Sequence, residues 1–446
     1  MLRSEAAKTW KLSLPIIFGE ITQISLGLID SAMVGSIDYK QLAAASLVNS
    51  VMIIPFILGI GFTMAISQRV ANARGRNDSQ RVSHILYNGF WLAMVSAIVI
   101  SLGLELGSDI LFHLGQDPEI AVLAVPFWRI VGISVIPSIL FMGLKQFTDG
   151  LERTRTAMIL SFIALPLNVF LNWLLIFGNW GFPRMELAGA ALGTLITRSL
   201  ILIVMVIVLF KSKHFARFIM VRKNQWHLKR STIKELLGIG VPSALQAGLE
   251  TGAFAISGIL VGTIGAIEQA SHQIALQCAS FTFMVSLGLA QGNSIRISNA
   301  YGRKDWKHIH LIGKSTLYTG LLYGILCAVF YAVFRQQIPY IFNDNAEVVS
   351  LASLLLLYAA IFQISDATQA IAVGSLRGIT DVKYPTILLT IAYWVVALPA
   401  GWLLAFRAQM STHGIWIGLV IGLTFVSIVL NRRFFKMVNR HLTFSK

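Results

Sequence analysis

Three carboxylates lie inside long apolar stretches of the chain: Asp30, Glu250 and Asp366. A charge at the centre of a bilayer costs roughly 2.5–3.5 kcal/mol on insertion scales. An acid kept there faces a cavity, pairs with a base, or holds something positive such as a proton or a hard cation. Gln246 precedes Glu250 by four residues and Ser257 follows it by seven, so all three share one helical face. Gln363 and Gln369 flank Asp366 at three-residue spacing and make a second polar face. A purely structural role would pair each acid with a buried base. No Arg or Lys is evident at comparable depth in this half, which favours function.

Asp30 has Gln23 seven residues before it. Asn168 and Asn172 are four residues apart, just after Pro166, whose ring frees a backbone carbonyl and bends a helix. An acid, two amides and a free carbonyl suit a proton or a hard cation. The alternative is a hydrogen-bonded clamp between helices. Glu20 is ten residues from Asp30 and off its face; it is expected to line a cavity or to pair with Arg198. Arg198 and Arg129 read as intramembrane partners or as side chains snorkelling to the interface.

These residues need helices to hold them. The chain has 446 residues, 56% hydrophobic and 13% charged, with a mean hydropathy of +0.71. A soluble chain would be about one quarter charged. The apolar runs each reach about 20 residues, enough for a helix to cross a bilayer. The short alternating segments of a membrane β-barrel are absent. The expected fold class is therefore an all-α membrane protein with twelve transmembrane helices, at about 11–36, 42–70, 84–105, 119–144, 156–178, 187–210, 235–263, 269–297, 309–334, 348–376, 384–406 and 412–432. The segment Met1 to Lys11 lacks a cleavage site, so the first span reads as a retained helix and not a signal peptide.

Loop charge alternates along the chain. Arg74, Arg76 and Arg81 follow span two; Lys145, Arg153 and Arg155 follow span four; Arg303, Lys304 and Lys307 follow span eight; Arg377 and Lys383 follow span ten. The 211–232 segment carries Lys211, Lys213, Arg217, Arg222, Lys223, Lys229 and Arg230. The intervening loops lean acidic. By the positive-inside rule both termini are expected in the cytoplasm. The net charge of +16 is thus accounted for by loop anchors, and no nucleic-acid partner is expected. Cys278 and Cys327 both fall in apolar spans, so neither a disulfide framework nor a metal site is expected from them. There is no phosphate-binding GK[ST] loop for ATP, no metal-spaced His cluster, and no nucleophile–base pair that would mark an enzyme.

The chain contains itself twice. "RVANARGRND" at 69–78 matches "RISNAYGRKD" at 296–305, an offset of 227 residues kept by Pro15 with Pro242 and by Gly35 with Gly262. Later the offset drifts slightly, as in Trp173-Leu174-Leu175 against Trp402-Leu403-Leu404, and Gly189 and Gly193 against Gly414 and Gly418. Each half holds an even number of spans, so the repeats are parallel, with a substrate cavity expected where they meet. The expected organisation is an N-terminal six-helix lobe at 1–210, a cytoplasmic linker at 211–232 with surface amphipathic character, and a C-terminal six-helix lobe at 233–446. The repeated motif itself reads first as structure, with Asn and Gly ending a helix and Arg anchoring it.

Together these residues resemble the multidrug and toxic compound extrusion (MATE) family, its NorM-type bacterial branch in particular. The resemblance spans the whole chain and rests on the ordered set "LPIIFGEITQISLGLIDSAMVG" (14–35), "ANARGRND" (71–78), "PLNVFLNW" (166–173), "GVPSALQAGLETGAF" (240–254) and "AVGSLRGITD" (372–381). It implies a V-shaped two-lobe transporter of the bacterial inner membrane, monomeric, with no cofactor beyond a coupling ion. It implies that Na⁺ or H⁺ entering is exchanged for amphiphilic, mostly cationic drugs leaving. The branch's acids match Glu250 and Asp366, a candidate Na⁺ site, and its first-half acid matches Asp30, with partners at Asn168, Asn172, Ala190 and Thr194. A flippase for a lipid-linked sugar is the alternative within transport; a receptor or channel is the alternative outside it. Asp30 aligns with Ser257 in the repeat, so the acids were not simply duplicated.

Overall fold

A computed structural model describes residues 1–113, 117–219 and 227–443. Among them are twelve helices long and apolar enough to cross a membrane: α1 (Leu2–Gly35), α2 (Tyr39–Gly75), α3 (Ser79–Leu106), α4 (Pro118–Gly150), α5 (Thr154–Phe177), α6 (Glu186–Lys211), α7 (Arg230–Gly262), α8 (Ala266–Gly302), α9 (Trp306–Phe334), α10 (Ala346–Gly378), α11 (Lys383–Arg407) and α12 (Ser411–Thr443). The all-α expectation holds, and every expected span has its helix. Arg222 and Lys223 of the basic linker lie outside the described residues. The described part of that linker contains one helical turn, Lys213–Ala216, with Phe215 buried.

Several helices run further than their apolar stretch. α4 continues past the expected end at 144, so Lys145 is no loop residue: its side chain is 3% exposed. α8 continues past 297 and keeps Arg296 buried. α10 likewise takes in Arg377, which charge counting assigned to a loop. Hydropathy marks where a helix is greasy, whereas hydrogen bonding carries it on until a turn signal appears.

That signal recurs four times. α2, α4, α8 and α10 each end at a glycine, and two residues later the chain takes a left-handed residue: Asn77 (φ 57°), Glu152 (φ 59°), Lys304 (φ 59°) and Thr380 (φ 67°). The next amide then folds back, as in Asp78 N to Ala73 O at 3.0 Å and Asp305 N to Ala300 O at 3.0 Å. Asp78 and Asp305 cap the following helices by accepting from Arg81 N and His308 N at 2.8 and 3.0 Å. The repeated motif is thus a helix–turn–helix joint. The aspartates that close the motif start α3 and α9, a role that the sequence reading did not assign to them.

The chain forms two compact units, residues 18–244 and residues 1–17 together with 245–446. Both breaks fall inside a helix, α1 and α7, and Ile17 and Ala244 are equivalent in the 227-residue repeat. These units differ from the expected lobes at 1–210 and 233–446: each takes the opening segment of the other half's first helix. The segment exchange has visible packing. In the unit of residues 18–244, Gly240 and Ala244 of α7 lie against Phe62 and Gly61 of α2. Arg81 donates to Glu235 at 2.8 Å and to Thr232 at 3.1 Å. In the other unit, Gly288 and Gly292 of α8 lie against Ile17 and Ser13, and Glu5 accepts from Arg296, from Lys8 at 2.7 Å and from His308 at 3.1 Å.

Small residues set the remaining helix contacts, because within lipid close backbone approach supplies much of the packing energy. Gly414, Gly418 and Gly422 form one stripe of α12 against α11. α10 is heavily enclosed, with Gly374 and Gly378 against α8, and Gly320 and Gly324 of α9 against its preceding turns at 363–371. In the other unit α4 plays this part; Trp128 on it donates its indole N–H to Leu104 O at 2.8 Å.

Candidate functional site

In the unit of residues 18–244, Asp30 on α1 meets Asn172 on α5 and Thr194 on α6. Asn172 Nδ2 donates to Asp30 Oδ1 at 2.6 Å and Thr194 Oγ1 donates to Oδ2 at 3.2 Å. Asn172 Nδ2 also reaches Asn168 Oδ1 at 3.3 Å, and Asn168 Nδ2 reaches Thr194 Oγ1 at 3.5 Å. The expected acid and its two amides are therefore one network, with Ala190 lining the same cavity of about 230 Å³. Gln23 lines it too, its amide resting on Met142 Sδ at 3.7 Å.

Gly193 makes this network possible. A Cβ there would collide with the Asn172 carboxamide oxygen, so only glycine lets α6 approach α5 this closely. Gly193→Ala is expected to destabilise the unit by about 1–3 kcal/mol through overpacking. Thermal unfolding of the purified protein in detergent measures this; an unchanged midpoint would mean that the two helices have room to spare.

One expectation about the bases is corrected. Glu20 does not pair with Arg198. It accepts from Lys145 Nζ at 2.7 Å, with Asp149 Oδ2 at 4.0 Å from the same ammonium. Arg198 lines the Asp30 cavity, donates to Ser134 Oγ at 2.7 Å and lies 5.4 Å from the Phe56 ring centre. Arg129 pairs with Glu105 at 3.2 Å, both largely exposed on the surface of the unit.

In the other unit, Glu250 on α7 accepts from the Tyr393 hydroxyl at 3.0 Å. Next to it, Trp394 Nε1 donates to Leu249 O at 3.1 Å. Tyr393 and Trp394 sit in a π-helical stretch of α11, Ile391–Ala397. Its cause lies just beyond: Pro399 has no N–H to give back, and the loosened turn widens. The wider turn aims two consecutive aromatic side chains at α7. Phe254 closes the site edge-on against Tyr393 (5.7 Å) and Phe362 (6.0 Å).

Asp366 on α10 is buried and lies within electrostatic reach of Glu250, Tyr323, Tyr331 and Tyr393. Tyr323 and Tyr331 spend their hydroxyls on the carbonyls of Thr282 and Cys278, at 2.8 and 2.7 Å. Asp366 accepts no side-chain hydrogen bond from the described residues. One turn away, Gln363 is fully buried, and neither polar atom of its amide has a hydrogen-bond partner among them. Gln246 and Gln369 are buried in this unit as well. Ser257 is buried but bonds its own helix at Phe254 O, 2.7 Å, and is not drawn into a network with Glu250.

A base that charge counting assigned to a loop reaches this site. Arg377, carried into α10 by its extension, is within electrostatic reach of Glu250. Tyr393 and Arg377 are the two neighbours of Glu250 that the sequence reading missed. Only the position of Tyr393 shortly before Pro399 in an apolar span hinted at it.

The MatE family model matches this chain twice, at residues 15–174 and 242–403. The second match begins 227 residues after the first, the same interval as the internal repeat. The "Probable multidrug resistance protein NorM" of Rhizobium meliloti is 34% identical over 434 residues, covering 96% of this chain and 93% of that protein. The "Multidrug resistance protein NorM" of Aliivibrio fischeri is 32% identical, covering 97% and 94%. Among solved structures, a MATE in the bent conformation superposes with a TM-score of 0.91 at 20% identity, covering 100% of this chain and 98% of that one. The eukaryotic MATE transporter AtDTX14 superposes with a TM-score of 0.88 at 21% identity, covering 99% and 98%. With the family model matched in both halves and relatives above 30% identity over nearly the whole length, this chain belongs to the MatE family.

Proposed function

We propose that this protein is a multidrug efflux antiporter, exchanging an entering Na⁺ or H⁺ for amphiphilic, mostly cationic compounds by alternating access. One observation carries this reading. Asp366 is buried, Glu250 is half-buried with the Tyr393 hydroxyl on it, and the two acids lie within electrostatic reach of each other with no direct ion pair to either among the described residues. Two acids that close cannot both carry bare charge cheaply in a low-dielectric setting. A proton or Na⁺ on the pair relieves that cost, and the buried Gln363 amide beside Asp366 offers a further oxygen. Tyr393 holds Glu250 in place by donation, and the Arg377 guanidinium lies within electrostatic reach of it.

Asp30, with Asn168, Asn172 and Thr194, serves as a second ion or drug site. Ion and cationic drug compete for negative charge, so occupancy by one disfavours the other, and this differential binding couples the two flows. The relatives named multidrug resistance proteins support the substrate class. In this reading the protein works as a monomer in a bacterial inner membrane with both termini cytoplasmic, which the loop-charge alternation supports.

The test is export of a fluorescent organic cation from reconstituted vesicles, with a Na⁺ gradient and a H⁺ gradient imposed separately. Uphill export under one gradient and none without it is the expected result, and it also names the ion. Saturable dye binding with no gradient-driven movement would leave a receptor, and ion conductance without exchange would leave a channel.

A further inference from the structure

Two consecutive side chains of α11 grip α7 in different ways. The Tyr393 hydroxyl donates to the Glu250 carboxylate at 3.0 Å, and the Trp394 indole N–H donates to the Leu249 carbonyl at 3.1 Å. The first acceptor carries a charge that a cation can cancel. The second is main chain and keeps its strength whatever Glu250 holds. A hydrogen bond to a charged group is roughly twice as strong as a neutral one. The indole also lies across Gly252 of α7, where a Cβ would sit 3.4 Å from Trp394 Cζ2, so a residue without a side chain seats it. Both aromatic residues belong to the π-helical stretch Ile391–Ala397, a form that occurs in short pieces and often at functional sites. The ends of the stretch are held elsewhere: Gly422 and Gly418 of α12 lie against the Ala392 and Ala397 carbonyls. Its middle answers to α7.

We propose that Trp394 is a positioning residue for Glu250 and that, with Tyr393, it makes this stretch of α11 the element that reads whether Glu250 carries its charge. With Glu250 ionised, both bonds hold and the π turn stays widened. A Na⁺ or a proton on the carboxylate weakens the Tyr393 bond and leaves the Trp394 bond as it was. α11 then pivots on the contact between Trp394 and Leu249, and the stretch, released on one side, samples ordinary α-helical pairing. The two pairings differ by one residue of register, which makes a π turn a two-state element that a single hydrogen bond can bias. Trp394 touches no ion; it fixes the α7 backbone beside Glu250, and so sets where the carboxylate stands. The proposal rests on the reading of Glu250 as an ion site, and it names what responds to that ion.

Hydrogen–deuterium exchange read by mass spectrometry, on the purified full-length protein in detergent, follows the amides of 391–397. Na⁺ is compared with choline at equal ionic strength, and H⁺ through two pH values with the intrinsic exchange rate divided out. Unfolding midpoints measured alongside report whether the cation binds. The cation that raises the wild-type midpoint is expected to raise exchange of this stretch about two- to tenfold, the range for losing one hydrogen bond. Glu250→Gln should abolish that response. Tyr393→Phe should show the raised exchange without any cation, and no further rise with it. In Trp394→Phe, which keeps a ring but loses the N–H, the cation concentration for half the midpoint shift is expected to rise about two- to tenfold, with the cation-free midpoint little changed. A merely structural tryptophan would do the reverse, and that result removes its positioning role. A midpoint shift that depends on Glu250, with exchange of 391–397 unchanged, would overturn the proposal and leave the ion site standing. No midpoint shift with either cation removes the ion site and the proposal together. If Trp394→Phe does not fold, the wild-type and Tyr393→Phe arms decide alone.

Discussion

Glu250→Gln is expected to reduce gradient-driven export at least about 100-fold while leaving the protein folded and in the membrane. The substitution keeps the shape and the acceptor oxygen, so the Tyr393 hydroxyl at 3.0 Å still has a partner. What it removes is the charge a proton or Na⁺ must neutralise. Arg377 then loses the charge it acts on, and Asp366 remains as the one acid of the pair. Asp366→Asn should have the same phenotype by the same logic, since it accepts no hydrogen bond that the amide would disturb. Tyr393→Phe is the contrasting case. It removes one hydrogen bond, worth about 0.5–1.5 kcal/mol net, so apparent ion affinity should shift by only severalfold. The measurement is initial rate against gradient size in vesicles. Full coupled transport in both acid variants would remove these residues from the coupling mechanism.

A comparably large effect is expected from Lys145→Met, but on folding and not on coupling. Lys145 is enclosed on α4 with Glu20 at 2.7 Å and Asp149 at 4.0 Å. Removing the shared cation leaves two carboxylates in a dry site, and breaking a buried pair in this way costs about 3–5 kcal/mol. The unfolding midpoint in detergent should drop sharply, or the protein should fail to accumulate. The double variant Glu20→Leu with Lys145→Leu removes the acid as well and should recover a substantial share of the loss. A single variant as stable as the wild type would mean that water reaches this site freely.

How far the site was legible in the sequence differs between the two units. Asp30, Asn168 and Asn172 were found as an acid and two amides on helical faces, and they share one hydrogen-bonded network. A spacing of four on a helix already puts side chains together, so local periodicity was enough. For Glu250 and Asp366 the spacing identified two polar faces but not what they meet. Tyr393 reaches Glu250 only because Pro399 widens a turn of α11, and no periodicity foretells that displacement.

The bases were misread for a related reason. Lys145 and Arg377 looked like loop anchors because hydropathy falls at those positions, and Arg296 stood at the very end of its expected span. In each case the helix runs on to a glycine turn, and the charged side chain is turned into its unit, where it finds acids and carbonyls. A charge count sees the residue; only neighbouring helices decide whether it meets water or a carboxylate.

By itself, then, the sequence of this protein determined the twelve spans, the duplication and the acids within apolar helices. All three follow from distances along one chain: apolar run length, a 227-residue interval and helical periodicity. The tertiary structure decided which residues of different helices meet. It set Lys145 on Glu20, Tyr393 on Glu250, Arg198 beside Asp30, and the opening segments of α1 and α7 in exchanged units. Those pairings depend on crossing points where glycines such as Gly193 let backbones touch, and close packing between helices is a property of two surfaces that neither stretch of sequence carries alone.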